Sequence, residues 1–341
     1  MPGGAARHGV MVGLRALSVE APLTGGGFAG RAFVVADGEG AVHVCGLDGA
    51  VSQRKLHEGA ILAMTTDEKT GAIFTAGDDG RALRTLAGGE PEVLHDGSKW
   101  VDTIACSPRG AVAWSAGKTI HLRQRGAEQA VPVAAPSSVS DLTFSADGRF
   151  LGAAVYGGAL IVPLADPSEA YLLGWQGSHL TVGFSPDGRF CVTAMLENAL
   201  HVWRIDKPED KHGRMGGYPA KPLSFCWTAD GRYLATAGAE VLVMWPFTGP
   251  DGPIGQKAGV YPAEQSLQAR TVASRPNSRQ IAVGYVDGSV ALFDRKTSAF
   301  LPIAEPHEAG AVNGLCFSAD GRWLGFTRER GVAGLAELGK G

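Results

Sequence analysis

A unit of about forty residues recurs along the 341-residue chain, and this constrains the fold more than any other feature. Its plainest copies are FSADGRFLGAA from Phe144, FSPDGRFCVTA from Phe184, WTADGRYLATA from Trp227 and FSADGRWLGFT from Phe317. Each is an apolar run, a turn and a second apolar run. Asp-Gly fits the turn because Gly takes positive φ without a clash and Asp bonds to nearby amides. Weaker copies stand at residues 28–31, 68–71 and 108–110, and a divergent one, RPNSRQIAVG, begins at Arg275. The turn markers are Gly30, Gly71, Gly110, Gly148, Gly188, Gly231, Ser278 and Gly321, in steps of 41, 39, 38, 40, 43, 47 and 43.

After each turn comes an apolar run, a second tight turn and an alternating segment, as in IFTAGDDGRALRTL (73–86) and AVGYVDGSVALFD (282–294). Alternation of period two predicts strands, and a fourth short strand follows most units. Glycine supplies 49 residues without a three-residue period, which excludes collagen and suits many tight turns. No long amphipathic helix is evident. Four strands per unit predict blades whose faces are covered only by stacking around a ring. The expectation is an all-β propeller of eight four-stranded blades, with seven plus an irregular N-terminal segment as the alternative. Residues 13–19 are expected to pair with 332–338 and close the circle. The domain reading is a flexible segment 1–9, one domain over 10–338 and a tail 339–341.

The chain resembles the WD-repeat β-propeller family. The resemblance is carried by FSPDGRF, GYVDGSVALFD, HVWRI (201–205) and VLVMWPF (241–247), and by the openings LHEGAIL (56–62) and PHEAGAV (306–312). It covers residues 10–338. The family's structural set is His at the opening, Ser or Thr in the second strand, Asp in the turn and Trp in the third strand. No unit here is complete. The second unit offers His57, Thr75 and Asp79 but has Thr85 where Trp belongs; the seventh offers Asp287 and Phe293 without an opening His. Packing is therefore expected to hold most units.

The charge of −3 argues against general nucleic-acid or anionic-membrane binding. Hydrophobic residues at 45% suffice for a core, yet no apolar run approaches a membrane helix, and no signal peptide is read at the N-terminus. Five cysteines without a CxxC pair argue against a disulfide framework. The expected setting is cytoplasmic, and an excess of Arg over Lys suits a bacterial source.

No GxSxG or phosphate-loop motif is present. His43, His121 and His201 share one third-strand position, which raises a metal reading, but other units carry Arg84, Ile161 and Val243 there; ordinary strand residues are the better account, and no metal or cofactor is expected. Cys106, Cys226 and Cys316 share a first-strand position suited to packing. Arg149, Arg189, Arg232, Arg279 and Arg322 follow the first turn and are expected to pair with their own turn Asp. Trp203, Trp245 and Trp323 are read as packing residues.

The fourth-to-first and second-to-third links converge on the opposite face. There Trp100, Lys118, Tyr156, His179, Asn198, Lys221 and Arg328 form the expected partner site, near Lys99, Glu197, Glu240, Asp287 and Arg330. Two long links, 206–217 and 248–258, are candidates for function or for solvated linkers. The leading expectation is a non-enzymatic scaffold, monomeric by itself, that binds a protein or peptide with an acidic epitope. The alternative is a propeller enzyme or a small-ligand or metal binder using the central channel.

Overall fold

The computed structural model describes residues 11–339 apart from 87, 264 and 265. The 1–9 segment and the end of the tail lie outside the described residues. The strands run β1 (Met11–Ser18), β2 (Leu23–Ala29), β3 (Ala32–Asp37), β4 (Ala41–Gly46), β5 (Val51–Lys55), β6 (Ile61–Asp67), β7 (Ala72–Gly77), β8 (Arg81–Leu86), β9 (Glu92–Asp96) and β10 (Val101–Cys106). They continue with β11 (Val112–Ala116), β12 (Thr119–Arg123), β13 (Val131–Ala134), β14 (Val139–Phe144), β15 (Phe150–Pro163), β16 (Tyr171–Phe184), β17 (Phe190–Met195), β18 (Ala199–Arg204), β19 (His212–Met215) and β20 (Phe225–Trp227). The last ten are β21 (Tyr233–Thr236), β22 (Val241–Pro246), β23 (Gly259–Pro262), β24 (Ala269–Ser274), β25 (Gln280–Tyr285), β26 (Val290–Asp294), β27 (Ala299–Ala304), β28 (Val312–Phe317), β29 (Trp323–Arg328) and β30 (Val332–Leu338). A single 3-10 turn, Pro167–Glu169, is the helical element among the described residues.

This is an all-β propeller of antiparallel four-stranded blades. Its hydrogen-bonded sheets number seven, not the expected eight. Six have four strands, and β14 to β19 form one six-stranded sheet. The correction has a local cause in the fourth and fifth units. β15 pairs first with β14 (Phe144↔Leu151) and then with the start of β16 (Ile161↔Tyr171), while the end of β16 pairs with β17 (Phe184↔Cys191). Positive φ at Gly157, Gly158 and Gly177 lets both strands change partner midway, and Tyr156↔Ser178 carries the ladder across. In the last sheet β1 pairs with β30 from Met11↔Leu338 to Ser18↔Val332.

The recurring Ser-x-Asp-Gly-Arg turn explains why the repeat is so legible. The Ser145, Ser185 and Ser318 hydroxyls donate to Asp147, Asp187 and Asp320 at 2.7, 2.6 and 2.6 Å. The same oxygens accept the N–H of Phe150, Phe190 and Trp323 at 2.9, 2.9 and 3.0 Å. Each Asp also accepts the N–H of the turn Arg, and the Gly between them has φ near 65–70°. Turn donors and acceptors are thus satisfied within five residues, which makes the motif sequence-local.

The core is divided into eight apolar clusters between successive repeat units. Trp203, for example, is buried with Ala154, Ile161, Leu173, Val182 and Cys191 between the fourth and fifth units. All five cysteines are free, and burial pushes each thiol up. Denatured, non-reduced protein is expected to yield five thiols, and the native protein to react slowly with thiol reagents. A count of three or one would show a disulfide.

Candidate functional site

Strand alternation sends the links after each second and fourth strand to one face, opposite the Asp-Gly-Arg turns. The first strands β2, β6, β10, β14, β24 and β28 shift register one residue after their start on this face, and β16 does the same where it takes up β17, between His179 and Thr181. Such a bulge re-aims a side chain and bends its strand. It puts Thr24, Leu62, Asp102, Ser140, Leu180, Arg270 and Asn313 at equivalent places, a ring that the sequence reading missed because one extra residue leaves little trace in the pattern.

The seven expected site residues divide on exposure. Trp100 is 61% exposed and Tyr156 65%, and Lys118 and Lys221 are exposed as well. The Lys99 side chain lies over Gly117, beside Lys118, so Lys99, Trp100 and Lys118 form one cationic and aromatic arc. Asn198 is half-buried at φ 51°, and its Nδ2 donates to the Pro219 carbonyl at 3.2 Å. His179 is fully buried: one ring nitrogen meets Thr193 Oγ1 at 2.7 Å, the other the Trp175 carbonyl at 3.0 Å, and burial lowers its pKa. Arg328 is also buried, donating to the carbonyls of Gly288 at 2.8 Å and Glu305 at 3.3 Å with its guanidinium over the Phe326 ring. His179 and Arg328 are therefore committed to bonds inside the protein and are not free for a partner, contrary to the sequence expectation.

The face is also not uniformly basic. Glu20, Glu39, Glu58, Glu308 and Glu329 are exposed on the same side across the eighth, first and second units. Of the expected site's cations, Lys118 and Lys221, with Lys99 beside Lys118, remain exposed to attract an acidic surface.

Buried polar sets beneath the face are more complete than the sequence implied. His57 bridges Asp79 (2.9 Å) and Thr75 (2.8 Å). The order Asp-His-Thr looks like a nucleophile relay, but His57 is 1% and Thr75 0% exposed, so no substrate reaches the hydroxyl. In the sixth unit Tyr218 takes the place of His: its hydroxyl meets Thr236 Oγ1 at 2.7 Å and accepts from Trp245 Nε1 at 2.7 Å. The missed signal was spacing, since Tyr218 precedes Thr236 by 18 residues, as His57 precedes Thr75.

His43, His121 and His201 do not converge. His43 meets Asp37 at 2.7 Å, His121 stacks on Trp114, and His201 Nε2 lies 3.2 Å from His212 Nδ1 against Trp175. Among the described residues no group of three or more His, Cys, Asp or Glu is placed to hold a metal. Arg149 and Arg189 pair with Asp147 and Asp187 at 2.5 and 2.6 Å, as expected of turn-closing residues. Arg232 does not, because Arg295 binds Asp230 through two hydrogen bonds at 3.0 and 2.7 Å. Arg279 pairs with Asp294 and Arg322 with Glu337, both beyond their own turn. The two long links hold each other: Asp251 accepts from Lys211 at 3.0 Å and from Arg204 at 3.4 Å.

No family model matches the chain. The chain is 27% identical over 84 residues to WD repeat-containing protein 1-B of Xenopus laevis, which covers 24% of this chain and 14% of that protein. The chain thus spans about a seventh of that relative's length. Among solved structures it is similar to the crystal structure of the computationally designed Ika8 protein, with TM-score 0.73 and 15% identity over 94% of this chain and 97% of the other. That likeness shows the fold alone. Among the described residues no helix is long and apolar enough to cross a membrane.

Proposed function

We propose that this protein is a non-catalytic interaction scaffold that binds a protein or peptide over the face carrying Trp100. The observation that carries this reading is that two aromatic rings, Trp100 and Tyr156, stand strongly exposed on the face that also carries the exposed Lys99 and Lys118. The partial WD-repeat likeness supports interaction in general. The contacted epitope is acidic where it meets Lys99, Lys118 and Lys221, and the site is Trp100, Lys118, Tyr156 and Lys221, with Asn198 at its edge. The reading includes WD-repeat membership, a monomeric bacterial protein of the cytoplasm, and no general nucleic-acid binding. It also takes the β1–β30 pairing as the clasp that closes the ring.

The test is affinity capture from native extract with wild-type, Trp100→Ala, Lys221→Glu and Arg189→Ala proteins, followed by titration of the captured protein. Trp100→Ala is expected to cost about 2 kcal/mol of binding with little loss of stability, and added salt to weaken binding. Arg189→Ala, on the opposite face, is expected to bind normally. A partner that tolerates Trp100→Ala and Lys221→Glu but is lost with Arg189→Ala places the site on the wrong face.

A further inference from the structure

The seam between the fourth and fifth repeat units holds a carboxylate where equivalent positions hold neutral residues. The residue that resumes register after the first-strand bulge is Gly25, Ala63, Thr103, Thr181, Thr271 or Gly314 in other units, and Asp141 in β14. Asp141 reaches across the seam: its Oδ2 accepts the N–H of Val182 in β16 at 2.9 Å, while Oδ1 accepts its neighbour Leu142 N–H at 2.9 Å. At the next seam a hydroxyl makes the crossing instead, with Thr181 Oγ1 donating to the Leu223 carbonyl at 3.0 Å. Asp141 keeps part of its surface exposed but its carboxyl is enclosed, and it has no Lys, Arg or His ion-pair partner among the described residues. The titratable groups on the strands around it are Asp102 and Cys106 on β10, Tyr156 on β15, Tyr171 and His179 on β16, and Cys191 on β17. None hydrogen-bonds to Asp141; Cys106 donates to the Thr66 carbonyl and His179 is bonded to Thr193.

We propose that Asp141 is a pH-sensitive latch between the fourth and fifth units, closed while its carboxyl carries a proton and loosened when it ionises. A neutral acid still accepts from Val182 and leaves no charge in the seam; an ionised one keeps the acceptor but strands a charge without a cation nearby. Burial pushes the Asp141 carboxyl up to about 7, against the opposing pull of the Val182 and Leu142 N–H groups. Because the closed-state pKa lies above the open-state one, the latch contributes fully at low pH. That contribution is lost as pH rises through the neutral range. The latch sits at the seam where two units share one sheet, and its β15 partner Ala154 lies two residues before the Tyr156↔Ser178 crossing. This inference does not depend on the scaffold reading.

The experiment is NMR on the full chain from pH 5 to pH 8, following the Asp141 carboxyl ¹³C shift and exchange of the Val182 amide, corrected for its intrinsic rate. The carboxyl is expected to titrate near neutrality. Val182 protection is expected to fall about a hundredfold over this range. Asp141→Ser, which retains a hydroxyl crossing, is expected to remove that pH dependence. A carboxyl that titrates near the ordinary Asp value, or the same exchange profile in Asp141→Ser, overturns the proposal. Where Asp141→Ser does not fold, the wild-type carboxyl titration decides alone.

Discussion

Deletion of residues 1–20 is expected to lower the melting temperature by about 10 °C or to leave the protein aggregated. The deletion removes β1 and exposes β30 as an open edge able to pair with other chains. The lost contacts are of several kinds. The β1–β30 ladder runs from residue 11 to residue 18. Arg15 donates to the Leu47 carbonyl at 2.8 Å and stands over the Trp323 ring. Leu17 packs against the cluster of Phe33, Trp323 and Leu335 between the last and first units. Over seven residue pairs, at about 1 kcal/mol per ladder hydrogen bond and with Leu17 added, the loss is roughly 8 kcal/mol, a large share of the ~5–15 kcal/mol that holds a folded protein. Differential scanning calorimetry of the truncated and full-length proteins makes the comparison. Equal melting temperatures would mean that β1 does not act as a clasp.

What could be read in the sequence was whatever the chain settles locally. The Ser-x-Asp-Gly-Arg turn is complete within five residues, so its recurrence announced both the strands and their period. The two long links lay beyond that reach: only the fold brings Lys211 to Asp251, 40 residues away. The merging of the fourth and fifth units was equally hidden, because Gly157, Gly158 and Gly177 look like the other turn glycines until the ladder they continue is seen. Chain order placed the site residues on one face but gave no side-chain direction. Arg328 ends β29, and its long side chain turns inward to the carbonyl of Gly288, 40 residues upstream. Tyr218 escaped because a motif search by residue type does not register a phenol doing the work of an imidazole.

That substitution sets a ranking of stability effects. His57→Ala is expected to cost about 3–5 kcal/mol, and Tyr218→Phe about 1–2 kcal/mol, measured as shifts of the urea midpoint at constant slope. Removing His57 leaves two partner groups and a void behind. Asp79 is nearly enclosed and keeps only the N–H donors of Glu58 and Arg81, both at 3.1 Å. Thr75 Oγ1, fully buried, loses its partner, and a ring-sized void opens at the mouth of the second unit. Tyr218→Phe keeps the ring volume and strands only Thr236 and Trp245 Nε1, and the Thr236 hydroxyl retains a 3.4 Å contact with the Val243 carbonyl. Acid separates the two sets further. Burial raises the Asp79 carboxyl, but hydrogen bonds and the charge from His57, with the two amides, outweigh it and hold the pKa below the ordinary Asp value. Asp79 thus contributes its stability above the ordinary carboxylate range and loses it as pH falls through the lower folded-state value. His57→Ala is expected to flatten that acid limb, whereas Tyr218→Phe, which touches no carboxylate, leaves it unchanged. A smaller loss for His57→Ala than for Tyr218→Phe would show that packing alone holds the second unit and that its polar set is incidental.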